Sequence, residues 1–109
     1  MSLAPRERPR YLLSMWTGPY PGDGGLRQHG AMVRDGCLLP ALAASPEGIV
    51  VVMDDGAAGY PPSFSEELFG GAVRAAGPDV AWRVDIEGPE HNAGRARTYM
   101  AEEAARQTL

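Results

Sequence analysis

The stretch that most constrains this chain is Ile49–Met53, "IVVVM", an unbroken and mostly β-branched run held between Gly48 and the turn residues Asp54-Asp55-Gly56. It is too short for a helix and has no polar position to turn toward water. Such a run predicts a strand buried on both faces, which places it at the centre of a sheet.

The neighbouring segments supply a sheet and its crossovers. Tyr11–Trp16, closed by Thr17-Gly18-Pro19, predicts a first strand. Gly18–Gly25, "GPYPGDGG", predicts a loop; it lacks the Lys-Ser/Thr of a P-loop and the strand-turn-helix spacing of a dinucleotide fingerprint. Over Leu26–Ala44 the positions Met32, Val33, Cys37, Leu38 and Ala41 recur at helical spacing, while Gly36 and Pro40 predict a helix that is kinked or begins late. Val80–Glu87 alternates, with Trp82, Val84 and Ile86 on one face and Ala81, Arg83 and Asp85 on the other, as a strand with one inward face does. From about Asn92 a closing helix carries Ala96, Tyr99, Met100 and Ala104 on one side, with Glu102 and Arg106 spaced for an i,i+4 pair. The alternation of strands and helices predicts an α/β layered domain over 10–109, after a flexible polar tail at 1–9.

Composition narrows the partners. The 109 residues suit one modest core, and a single cysteine excludes an internal disulfide. With two widely separated histidines there is no zinc-ligand spacing, and no cofactor or metal is expected. The net charge is −4 and every basic residue is an arginine, so the chain lacks the strongly basic face that nucleic acid rewards. The longest apolar runs are too short to cross a bilayer, and the start lacks the apolar stretch of a signal peptide, so a soluble cytoplasmic protein without membrane contact is expected.

Residues 61–71, "PPSFSEELFGG", concentrate special residues at one helix start. Ser63 and Glu66 have capping-box spacing: the serine oxygen would accept from the Glu66 N–H while the glutamate reaches back to the serine N–H. Glu66 and Glu67 in a first turn complement the positive helix end, each by roughly 0.3–1 kcal/mol. Phe64, Leu68, Ala72, Val73 and Ala76 would form the buried face. Gly70 and Gly71 cost about 1 kcal/mol each relative to alanine, which calls for a close approach of this helix to the sheet or of a partner to this helix.

The segment Ile49–Gly71 resembles the STAS family of anti-anti-sigma factors and related domains, and more closely its STAS-like branch of unknown function. There a hydrophobic strand ending in Asp is followed by a Ser-Phe-x-x-Glu-Leu-Phe-Gly helix start, here Asp54 and Ser63, Phe64, Glu67, Leu68, Phe69 and Gly70. The resemblance implies a mostly parallel or mixed sheet of about four strands with helices packed on it. It also implies a regulatory interaction module that binds an ATPase-type serine kinase, an anti-sigma regulator, through this helix start. The phospho-acceptor position falls on Ser63, preceded by Pro62 where the family carries Asp, and Ser65 is a second candidate. Asp54, Asp55, Phe64, Glu66 and Glu67 complete the expected surface. Phosphoserine adds about −1.5 to −2 charges, which Glu66 and Glu67 would repel. A partner burying that charge unpaired would lose about 3–5 kcal/mol.

Two other functions compete. A small-ligand module would hold a nucleotide or phosphate beyond the strand ends, on free N–H groups of the Ser63 helix. An enzyme would draw on Cys37, His29, His91, Asp54 and Asp55, but a cysteine among Val33, Leu38 and Leu39 reads first as a buried small hydrophobe. The two aspartates read first as a strand-ending turn, and the expectation is no enzyme. The strand Tyr11–Trp16 is a candidate edge for a homodimer.

Overall fold

A computed structural model describes residues 7–18, 26–54 and 60–108. Three strands, β1 (Arg10–Leu12), β2 (Ile49–Val52) and β3 (Val84–Glu87), form a parallel sheet in the order β1-β2-β3. The Ile49 run is its central strand. Arg10 pairs with Val50 and Val50 with Asp85 in one rung; Leu12, Val52 and Glu87 form another. The sheet is wholly parallel, and the described residues hold three strands rather than about four.

The expected first strand is shorter than Tyr11–Trp16. It gives way after Leu12 to a short helix, α1 (Leu13–Thr17). The cause lies far along the chain, because the Asp54 carboxylate at the end of β2 accepts the Ser14 N–H at 2.9 Å and also the Ser14 hydroxyl. Tyr11 and Trp16 still meet, with ring centroids 5.1 Å apart. Upstream, the Pro9 carbonyl accepts the Val50 N–H at 2.8 Å.

Helix α2 spans residues 26–44. Its middle, Arg34–Leu38, is a π-helical turn, and the Leu39 N–H reaches back five residues to the Arg34 carbonyl. That extra residue absorbs Pro40, whose ring would collide with the carbonyl four residues earlier in a regular helix. Val33, Leu38, Ala41 and Leu42 are buried, whereas Met32 is 65% exposed. At Gly48, φ is 119° and a Cβ would stand 2.5 Å from the Arg83 carbonyl, so only glycine turns the chain into β2 here.

Helix α3 spans 62–76 and also contains a π turn, Glu66–Gly70. Phe64, Leu68, Phe69, Ala72 and Val73 are buried; Phe69 joins the expected face and Ala76 leaves it, because the widened turn shifts the phase of the residues after it. Val80–Arg83, expected to begin a strand, forms a helical turn, α4, and the strand is confined to Val84–Glu87. Trp82 is therefore 66% exposed rather than inward. Helix α5 (Glu90–Gln107) buries Ala93, Ala96, Met100 and Ala104. Its Arg106 pairs with Glu103 at 2.7 Å, not with Glu102.

All five described helices contribute to one core, which includes Leu13, Val33, Leu38, Phe64, Phe69, Val80 and Met100 along with Ile49, Val51, Val84 and Ile86 of the sheet. No described helix is long and apolar enough to cross a membrane.

Candidate functional site

The start of α3 is built differently from the expected capping box. Pro61 is the N-cap, extended at φ −59° and ψ 146°, and Pro62 takes the first helical position, where its missing N–H costs nothing. Ser63 is already inside the first turn, and no side chain caps the helix. The Ser65 N–H donates to the Pro61 carbonyl at 3.1 Å.

The two serines have opposite surroundings. Ser65 is 1% exposed, so its hydroxyl is out of reach of a kinase in the folded chain. Ser63 is half-buried at the surface. Between them Phe64 is fully buried, stacked on Tyr60 at 5.9 Å and edge-on to His29 at 5.5 Å, so it anchors the turn instead of presenting itself to a partner.

Glu66 and Glu67 do not reach back toward the helix start. They are held by two arginines of α2 and by Arg74 further along α3 itself. Arg27 Nη1 donates to Glu66 Oε1 at 2.8 Å and to Glu67 Oε1 at 3.2 Å. Arg34 Nη1 donates to Glu67 Oε2 at 2.6 Å and to the Glu67 carbonyl at 3.3 Å, an oxygen within the π turn. Arg74 Nη1 donates to Glu66 Oε2 at 2.7 Å and to Glu103 Oε1 at 2.8 Å. The hydrogen bonds from Arg74, and then from Arg27, hold the Glu66 carboxyl below its ordinary range, against the opposing effect of burial. The same contacts push the Arg74 and Arg27 guanidinium groups upward.

This clamp lies directly against the two glycines. A Cβ at Gly71 would stand 2.5 Å from Arg34 Nη1, and one at Gly70 would stand 2.9 Å from Glu66 Oε2. The nearest atoms are the ends of ion-paired side chains, which can shift, and not the sheet.

Asp54 is exposed at the end of β2. Burial works to raise its carboxyl, but the hydroxyl and N–H of Ser14, together with the N–H of Asp54 itself, outweigh that and leave it below the ordinary range. Asp55 lies outside the described residues. The groups that an enzyme would need are otherwise engaged or apart: His29 Nε2 meets the Thr17 carbonyl at 3.0 Å, Cys37 is partly buried against the core, and His91 is exposed on the first turn of α5. Among the described residues no group of three or more His, Cys, Asp or Glu is placed to hold a metal.

The residues that sequence reasoning missed are Arg27, Arg34 and Arg74. Arg27 and Arg34 are seven apart, two turns along α2, and the adjacent glycines of α3 mark where a large side chain comes in. No protein-family model, curated protein or solved structure matches this chain.

Proposed function

We propose that this protein is a non-enzymatic regulatory module that docks an ATPase-type serine kinase, of the anti-sigma regulator kind, through the start of α3, with Ser63 as the switch. The resemblance of Ile49–Gly71 to STAS-like domains supports the choice of partner. The observation that carries the reading is the accessibility of Ser63 beside carboxylates already matched by Arg27, Arg34 and Arg74. A phosphate there meets locally balanced charge, not two bare glutamates, so the domain tolerates it while a partner burying the turn does not. The test is retention of proteins from native extract by the wild type and by Ser63→Glu, with circular dichroism to check folding. The expected result is an ATPase-type regulator held by the wild type and released by the folded variant; equal retention by both removes Ser63 from the mechanism.

A second reading, a small-ligand site beyond the strand ends, is favoured by Asn92. This residue is 3% exposed at the start of α5; its Oδ1 accepts the Tyr60 N–H at 3.2 Å, and Nδ2 has no partner among the described residues. A ligand accepting from that amide would raise the melting temperature. Thermal shift with ATP and with inorganic phosphate decides it: an increase absent in Asn92→Ala supports the site, and no increase in the wild type rejects it.

A further inference from the structure

The two faces of the sheet have different fates. Successive side chains of a strand alternate, so Tyr11, Ile49, Val51, Val84 and Ile86 share one face, while Arg10, Leu12, Val50, Val52, Asp85 and Glu87 share the other. The first set packs with the helices. Crossovers of one hand in the order β1-β2-β3 carry α2 and α3 to the same side, and Leu12, Val50 and Val52 are outside the core to which all five helices contribute. Parallel sheets are ordinarily covered on both faces. Here Val50 is buried at the middle of the second face, yet Val52 is only half-buried and Leu12 is 47% exposed.

The charges of this face are ordered. Arg10 stands on one edge, Asp85 and Glu87 on the other, with Val50 and Val52 between. The Arg10–Glu87 ion pair crosses the central strand, while the carboxylate of Asp85, a partly buried residue, has no hydrogen-bond or ion-pair partner among the described residues. We infer that this face is a homodimer interface, in which two copies stack sheet on sheet about a two-fold axis along β2. That rotation exchanges the edges and brings Arg10 of each copy over Asp85 of the other. Val52 meets Val52 of the second copy on the axis, and Leu12 of each copy lies over Glu87 of the other, so every contact recurs in pairs, as a two-fold requires. A guanidinium has five donors, so Arg10 serves Glu87 of its own chain and Asp85 of the second copy together.

Sedimentation velocity over a micromolar-to-millimolar series tests the inference. The wild type is expected to dimerise. Asp85→Arg leaves the intrachain Arg10–Glu87 pair in place yet sets like charges against each other across the interface, and should weaken dimerisation at least about tenfold. The reversal Arg10→Asp combined with Asp85→Arg should recover much of that loss, the signature of a direct pair. Leu12→Glu, at an exposed position, sets a carboxylate against Glu87 of the second copy and should also weaken dimerisation. A wild type that stays monomeric throughout, or a dimer indifferent to both Asp85→Arg and Leu12→Glu, overturns the inference.

Discussion

Gly30 of α2 lies so close to α3 that a Cβ on it would stand 2.7 Å from the Phe64 carbonyl oxygen and 3.4 Å from the Leu68 backbone nitrogen. The obstacle is backbone, which cannot swing aside as a side-chain end does. Gly30→Ala is therefore expected to destabilise by about 1–3 kcal/mol despite alanine's better helix propensity. Gly36 in the same helix meets nothing within 4 Å, and Gly36→Ala should stabilise by about 0.4–1 kcal/mol. Urea denaturation of the two variants should give shifts of opposite sign.

Arg34 and Glu67 pair with side chains only 16% and 19% exposed. Truncating Arg34 leaves a mostly buried carboxylate and a carbonyl of the π turn without that donor. Arg34→Ala should cost about 1.5–3 kcal/mol, the range for hydrogen bonds to charged groups. Arg27, whose side chain is 57% exposed, should matter far less, within about 0–1 kcal/mol for Arg27→Ala. Chemical denaturation of both variants at low and high salt separates them, since salt screens the exposed pair more.

The Glu66 carboxyl is held below its ordinary value of 4.5 by Arg74 and Arg27. A group depressed in the folded state contributes stability that is fully present above its unfolded pKa and is lost as pH falls through the folded one. The wild type should therefore lose stability progressively below about pH 4.5. Glu66→Gln should be less stable than the wild type near neutrality and should show a shallower acid decline. Melting temperatures measured from neutral pH into the acid range check both statements.

Asp54 accepts two bonds from Ser14 and sets the start of α1. Asp54→Ala removes both, and the expected cost is about 0.5–2 kcal/mol, as for the loss of a helix cap. Hydrogen exchange at the Ser14 amide should accelerate, while amides of β2 and β3 in the core exchange at rates that follow only the global change in stability.

How much of this was legible in the sequence depended on where each cause lay. Ile49–Val52 announced itself because a buried strand needs nothing but its own side chains, and α5 did so through Ala96, Met100 and Ala104. Ser14 could not be read as helix, because its acceptor is Asp54, 40 residues further on. Val80–Arg83 alternated convincingly, yet the strand pairs only from Val84. The capping-box spacing of Ser63 and Glu66 was real as a pattern, but Pro62 had already taken the first helical position, and Arg27 and Arg74 held the glutamate elsewhere. Gly70 and Gly71 pointed to a close neighbour, but not to its identity: the Glu66 carboxylate of the same helix at Gly70 and Arg34 of α2 at Gly71.

The π turn in α3 sets a rule about length as well as composition. An α-helix advances about 100° per residue, so the extra residue within Glu66–Gly70 rotates everything after it by about that angle. The first turn of the helix can then face α2 while Gly71–Ala76 faces α5. Removing one residue from this segment would restore a regular pitch yet swing Gly71 away from Arg34 and Val73 out of the core. The spacing between Ser63 and Gly71 should therefore tolerate substitution more readily than insertion or deletion.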